Sequence, residues 1–282
     1  MKRLTIFLMF IAFASMYACD KDDTSPQPVK TDNQEKNDDI GDIPDNTIPV
    51  DIPHYIMGVV ETNSYKALVS DDDLTVHIVY DTSDNRKYSF WYEIKEPDSE
   101  EANAYVAFCE RYGDTTYDKE RYYNTAEPYV NFYPMDNIVS IRIESIANYD
   151  AEHPAGTSLN DLCTLYSATP RQYIADGYTG EFDWTEASDE FVKYSRIFRH
   201  DDIEGSLPFA KPLTECTPED LELIGSGYMK LCMLSFERKP ETKNSRQAFK
   251  ITLTDEKGKT YIAQTDLCEW KLSGKTHTKG AV

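Results

Sequence analysis

The sequence predicts a mainly β, sandwich-like fold, with an immunoglobulin-like arrangement as one candidate topology and a few short helices in the connections. Three observations carry that expectation. Runs rich in β-branched and aromatic residues recur between Asp, Ser and Asn turn clusters. Ile138 to Ile143 alternates Val139, Ile141 and Ile143 with Ser140, Arg142 and Glu144, the period-two pattern of a half-buried strand. Strand-like runs outnumber helical ones without regular β/α alternation, and no repeat with a period of about 20 to 50 residues marks a propeller or solenoid.

Taken in order, His54 to Glu61, Leu74 to Asp81 and Lys87 to Glu96 read as strands of a meander. Ser99 then caps a helix that places Ala102, Tyr105, Val106, Cys109 and Tyr112 on one face and stops at Gly113. Residues 114 to 136 are polar, rich in Tyr and weak in strand pattern, so they read as a long surface loop before the Ile138 strand. Asp189 to Arg199 is a further helical candidate. Thr217-Pro218-Glu219-Asp220 supplies a cap, a proline at the first helical position and acids in the first turn, with Gly225 as the stop. Tyr228 to Glu237, Gln247 to Thr254 and Lys259 to Thr265 read as consecutively paired strands, the last two joined by a hairpin at Asp255-Glu256-Lys257-Gly258.

The amino terminus carries an address. Lys2 and Arg3 precede an apolar run from Leu4 to Ala14, 11 residues long. That is too short for a membrane-spanning helix, which needs roughly 20, and reads as the h-region of a secretory signal. The run leads into Met16-Tyr17-Ala18-Cys19 and then Asp20-Lys21-Asp22-Asp23. This stretch resembles the surface-exposed outer-membrane lipoproteins of Bacteroidetes, in which a lipidated Cys followed by acidic residues acts as an export signal. The resemblance implies removal of residues 1–18, acylation (palmitate-type) at Cys19 and display on the cell surface, with several acyl chains giving durable anchoring. Met16 and Tyr17 depart from the commonest lipobox. The segment Asn148 to Asp161 likewise resembles a motif of such lipoproteins that carry a domain of unknown function, and it implies no activity.

After the signal, residues 19–53 hold ten Asp or Glu beyond Cys19, three Lys and no aromatic residue, a composition that predicts a disordered acidic tether. Residues 54–272 form the expected β-rich globular region, either one large domain or two small ones with a boundary near 200–215, and 273–282 read as a frayed end.

Charge excludes one class of partner. The chain carries a net charge of -21, and loss of Lys2 and Arg3 with the signal leaves 27 basic against 50 acidic groups, or -23. With no Lys/Arg cluster, such a surface repels phosphate backbones, so no nucleic-acid partner is expected. Five cysteines remain after Cys19, so at least one is unpaired within the chain. No C-x-x-C pair and no His at ligand spacing point to thiol-based metal binding.

Candidate sites rest on two patterns. Asp150, Glu152 and Asp161 form an oxygen-rich set suited to a hard cation such as Ca²⁺, although their spacing is not that of an EF-hand, and Pro154 and Gly156 read as a turn. Asp71-Asp72-Asp73 and Asp201-Asp202 read as solvated turns. Trp184, Tyr122, Tyr123 and Tyr129 are the candidate ligand-binding aromatics, because Tyr and Trp combine an apolar face with a polar handle. His54, His77, His153 and His200 lack H-E-x-x-H spacing, and neither G-x-S-x-G nor a phosphate-binding Gly loop is present, so no catalytic residues and no cofactor are assigned. The expectation is a membrane-anchored, non-enzymatic module that binds a glycan or protein. A fimbrillin-like adhesin or nutrient-uptake component and a carboxylate-dependent hydrolase are the alternatives.

Overall fold

The computed structural model describes residues 47–70, 75–81, 87–91, 94, 96–124, 132–195, 205–225, 230–241, 244 and 246–269. The signal, Cys19, most of the tether, Asp71 to Asp73, Tyr129, His200, Asp201-Asp202 and the carboxy-terminal residues from 270 lie outside them. Along the chain run β1 (Thr47–Pro49), β2 (Gly58–Glu61), β3 (Tyr65–Ser70), β4 (Thr75–Tyr80), β5 (Lys87–Phe90) and α1 (Glu100–Arg111). They are followed by β6 (Tyr122–Asn124), β7 (Phe132–Pro134), β8 (Ile138–Ser145), β9 (Cys163–Thr169), α2 (Arg171–Ala175) and α3 (Asp189–Ser195). The last elements are β10 (Leu207–Pro212), β11 (Lys230–Phe236), β12 (Arg246–Gln247), β13 (Phe249–Asp255), β14 (Thr260–Gln264) and β15 (Cys268–Glu269).

The fold is mainly β. A five-stranded antiparallel sheet of order β10-β9-β11-β4-β3 and a three-stranded sheet of order β14-β13-β8 share one core. Alternation decides which side chains enter it. Ile138, Ile141 and Ile143 of β8 and Phe249, Ile251 and Leu253 of β13 meet Val76 and Ile78 of β4 and Leu231 and Leu234 of β11. Burying each such side chain contributes about 1.5 to 3 kcal/mol. β11 is buried along most of its length because its opposite face, at Met233, packs with Tyr166 and Ala168 beneath Phe191 and Tyr194 of α3. The outer strand β10 tolerates Pro208 and Pro212 because an edge has no second ladder to complete.

Several expected pairings are rearranged. β11 does not pair with β13; it lies between β9 and β4, while β13 pairs with β14 and β8. The amino-terminal strands form no meander, since β4 pairs with β3 and β11, and β2 pairs with β5 and, in parallel, with β7. Alternation specifies a buried face and leaves the partner open. The expected loop at 114–136 contains β6 and β7, recruited by β1 and β2. Residues 47–53, assigned by composition to the tether, already belong to the fold: β1 pairs with β6, Val50 is buried, and its N–H donates to the Arg121 carbonyl at 2.9 Å. Contacts unite the described residues in one compact unit, within which β10 lies across the expected 200–215 boundary as a sheet strand.

Helix α1 follows its capping signal. Ser99 Oγ accepts the Ala102 N–H at 3.1 Å, and Gly113 takes φ +74° just past the end. The buried face is Ala102, Tyr105, Phe108 and Cys109, with Val106 exposed. The Thr217 signal yields only a 3-10 turn at Glu219–Leu221. α1 and α2 cover a second core in which Tyr55, Tyr117, Tyr173 and Tyr178 meet edge to face, with ring centroids 5.0 Å apart for Tyr117 and Tyr178 and 5.2 Å for Tyr55 and Tyr173. Gly205, at φ +87°, is required there because a Cβ would lie 2.2 Å from the Tyr173 ring.

Two charges organise this second core. The Asp114 carboxylate accepts the Tyr55 N–H at 2.6 Å, the Ile56 N–H at 2.8 Å and the Tyr178 hydroxyl at 2.9 Å. Arg121 donates to the carbonyls of Tyr55 and His54 at 2.7 and 2.5 Å, with its guanidinium 4.2 Å from the Tyr117 ring centroid. The segment 54–56 is thus held by an anion on its amides and a cation on its carbonyls. This explains why β2 begins at Gly58 and not at His54: the preceding backbone groups are bound to side chains and not to a strand. Replacing Asp114 with Ala strands three donors, each costing about 1 to 3 kcal/mol when buried without a partner. Urea titration of Asp114→Ala is expected to show a stability loss of at least about 3 kcal/mol, whereas a loss below about 1 kcal/mol would mean that water replaces the carboxylate.

Candidate functional site

The amino-terminal end of α1 opens onto a cleft of about 640 Å³. Its walls carry Glu61 from β2, Glu100 and Glu101 from the first turn of α1, Asp136 from the turn after β7 and Lys257 from the β13–β14 hairpin. Val59, Ala104 and Met135 supply its apolar lining. Each wall is fixed locally. Ser99 sets the start of the helix, and the parallel β2–β7 pairing brings Glu61 and Asp136 to one side. The hairpin is preformed because buried Asp255 accepts the Lys257 and Lys259 amides at 3.0 and 2.8 Å and the Tyr261 hydroxyl at 2.9 Å. Gly258 supplies the positive φ of that turn.

Lys257 Nζ lies 2.7 Å from Asp136 Oδ1, and that hydrogen bond holds the ammonium above its ordinary pKa. On the same hairpin, Glu256 takes both guanidinium nitrogens of Arg111, which depresses its carboxyl pKa and ties the turn to α1. The cleft therefore presents four carboxylates and one ammonium over an apolar lining. It offers acceptors to hydroxyl or amine donors and one cation to an acceptor. A second cleft of about 540 Å³ lies between β10 and α2, where Lys211 pairs with Asp220 and Arg171 with Glu222 as Lys257 pairs with Asp136 in the first.

The sequence-predicted aromatics do not form one platform. Trp184 is half-buried with Phe182 at 4.8 Å and Phe191 at 6.3 Å, a cluster that covers the α3 side of β9. Tyr122 is exposed on β6 opposite Pro49, and Tyr123 is in register with Ile48. Tyr105, Tyr117, Phe132 and Tyr133 are core residues. Among the described residues, Tyr105, Tyr117 and Tyr133 of this tyrosine-rich stretch serve packing, and Tyr105 also donates its hydroxyl to the Ile56 carbonyl.

The carboxylates of the 148–161 segment converge on a histidine. Asp150 Oδ1 lies 2.7 Å from His153 Nδ1, His153 Nε2 lies 3.0 Å from Asp161 Oδ2, and Arg238 donates to Asp150 Oδ2 at 2.8 Å. Glu152 enters through its backbone N–H, which donates to Asp150 at 2.9 Å, while its side chain is exposed. The two carboxylates expected to share Ca²⁺ instead flank an imidazole, and an arginine already satisfies one of them. Gly156 makes the expected turn at φ +79°, and a short 3-10 turn follows at Asn160–Leu162.

Among the described residues, one grouping has donor atoms spaced for a metal: His54, Cys109 and Asp114, all buried and mutually within 4.8 Å. Sequence reasoning missed it because Cys109 and His54 are far apart in the chain and Asp114 belongs to no motif; the helix stop at Gly113 was the nearest signal. Burial pushes the Cys109 thiol pKa up, and the neighbouring Asp114 charge adds to it. A catalytic thiol requires the reverse shift and access to substrate. Among the described residues, no two cysteines form a disulfide. Among the described residues no helix is long and apolar enough to cross a membrane. No family model, no curated protein and no solved structure matches the chain.

The His153 cluster yields a pH dependence with a defined sign. Although burial opposes it, hydrogen bonds to Asp150 and Asp161 raise the His153 pKa above 6.5 in the folded state. Its contribution to stability is therefore complete below the unfolded value near 6.5 and is lost as pH rises through the higher folded value. Unfolding titrations at pH 6 and about pH 8.5 should show wild-type stability falling toward that of His153→Gln. A gap between the two proteins that widens with pH would refute this assignment.

Proposed function

We propose that this protein is a lipid-anchored outer-membrane lipoprotein, displayed on the cell surface through Cys19, whose β-sandwich region is a non-enzymatic module for a glycan or protein ligand. The cleft at the start of α1 carries the binding part of this reading. Glu61, Glu100, Glu101 and Asp136 provide acceptors for hydroxyl or ammonium groups, Lys257 provides a donor, and Val59 and Met135 provide apolar contact. The net charge of -23 left after loss of Lys2 and Arg3 disfavours polyanionic ligands and favours neutral or basic ones. The Lys2-Arg3 flank, the short apolar run and the acidic residues after Cys19 support the anchored location.

The same four carboxylates support a carboxylate-dependent hydrolase as the second reading, because glycoside hydrolysis needs two such groups across a scissile bond. Binding and turnover separate the two. On an extracellular glycan and peptide array, the wild-type domain should retain a ligand that the Glu61→Gln/Asp136→Asn double variant binds at least about tenfold more weakly, the loss of one charge-assisted hydrogen bond. Trp184→Ala should bind normally. Equal binding by the double variant would remove the cleft from the site, and release of reducing ends by wild type alone would favour the hydrolase. Protease treatment of intact cells should release the domain, and its full retention would overturn the outward-facing topology.

A further inference from the structure

We propose that His54, Cys109 and Asp114 form a zinc-class metal site that joins the start of the folded region to α1. The three donor atoms come from the segment before β2, from α1 and from the residue after its Gly113 stop, and they lie within 4.8 Å of one another. Zinc bonds of about 2.0 to 2.3 Å in tetrahedral geometry place donors roughly 3.3 to 3.7 Å apart, so the three need to close by about 1 Å at most. One thiolate, one imidazole and one carboxylate suit a borderline-soft transition metal and not Ca²⁺.

The surrounding shell leaves the required lone pairs available. Asp114 Oδ1 already accepts two hydrogen bonds, from Tyr55 and Tyr178, while Oδ2 accepts only the Ile56 amide and keeps a second lone pair. The His54 Nδ1–H donates to the Asp114 carbonyl, which leaves Nε2 as the lone-pair nitrogen of the neutral ring. An imidazole oriented by a backbone carbonyl is the usual outer-shell arrangement of a metal-binding histidine. Among the described residues, no lysine or arginine forms an ion pair with Asp114, which is fully buried. Binding expels the Cys109 proton to solvent. The divalent ion then balances one thiolate and one carboxylate, no electron is transferred, and a water completes the fourth position.

The site goes beyond the proposed ligand cleft and is tested independently of it. The mature chain, purified under reducing conditions, is incubated with zinc sulfate, dialysed and analysed for bound metal, and in parallel it is loaded with Co²⁺ for absorption spectroscopy. Wild type should retain one zinc per chain and show a thiolate-to-cobalt charge-transfer band. Cys109→Ser should lose the band and at least tenfold in zinc affinity, His54→Gln should weaken binding similarly, and His153→Gln should leave both unchanged. Absence of retained zinc and of the band in wild type overturns the site, as does undiminished retention by Cys109→Ser. Should either core variant fail to fold, X-ray absorption of the zinc-loaded wild type decides: one sulfur with nitrogen and oxygen neighbours supports the site, and a shell without sulfur refutes it.

Discussion

The clamp on residues 54–56 is the interaction on which the rest of the second core depends. Asp114 and Arg121 are opposite charges that grip the same backbone segment through its amides and its carbonyls. Desolvating either charge is costly, and the cost is offset by charge-assisted hydrogen bonds in a dry setting. Burial alone raises the Asp114 pKa and lowers that of Arg121, and the Tyr55, Ile56 and Tyr178 donors act in the opposite direction on Asp114. Because the clamp fixes where β2 begins, it also fixes β7 beside it and hence the positions of Glu61 and Asp136. The candidate ligand cleft therefore depends on a buried polar constraint at some distance along the chain.

The two cores divide the work differently. The sandwich core is held by aliphatic alternation across two sheets, where area buried is the main quantity and directionality matters little. The core under α1 and α2 is tyrosine-rich, so it must satisfy hydroxyls as well as pack rings. Tyr105 donates to the Ile56 carbonyl at 2.5 Å, Tyr173 accepts Lys119 Nζ at 2.9 Å, and Tyr178 serves Asp114. Tyr178 does so at φ +61°, an uncommon conformation for a bulky residue that its hydroxyl bonds and ring contacts hold in place. These directional hydrogen bonds add a specificity that ring packing by itself does not supply.

The acidic surface and the cleft are consistent with one another. The chain has 50 acidic side chains, and four of them meet around one cleft of about 640 Å³. The hairpin that carries Lys257 is braced by Asp255 inside and by the Arg111–Glu256 pair outside, so the single cation of the cleft is held on a rigid support. By contrast, Asp150 and Asp161 are committed to His153, which makes their segment a structural strap tied to the end of β11 through Arg238.

By itself the sequence determined the mainly β class, the Ser99-to-Gly113 helix, the Asp255–Gly258 hairpin and the β8 and β11 strands, because caps, turn residues and alternation act over a few neighbouring residues. Tertiary structure alone decided that β11 joins β4 and β9, that Tyr122 to Asn124 becomes a strand against Thr47 to Pro49, and that Tyr105, Tyr117 and Tyr133 turn inward. It also decided that His54, Cys109 and Asp114 meet, and that Glu61, Asp136 and Lys257 face one cleft. The reason is physical: a local pattern states which face of an element is apolar, while the partner that covers it is selected by competition among distant surfaces, and no spacing along the chain records that outcome.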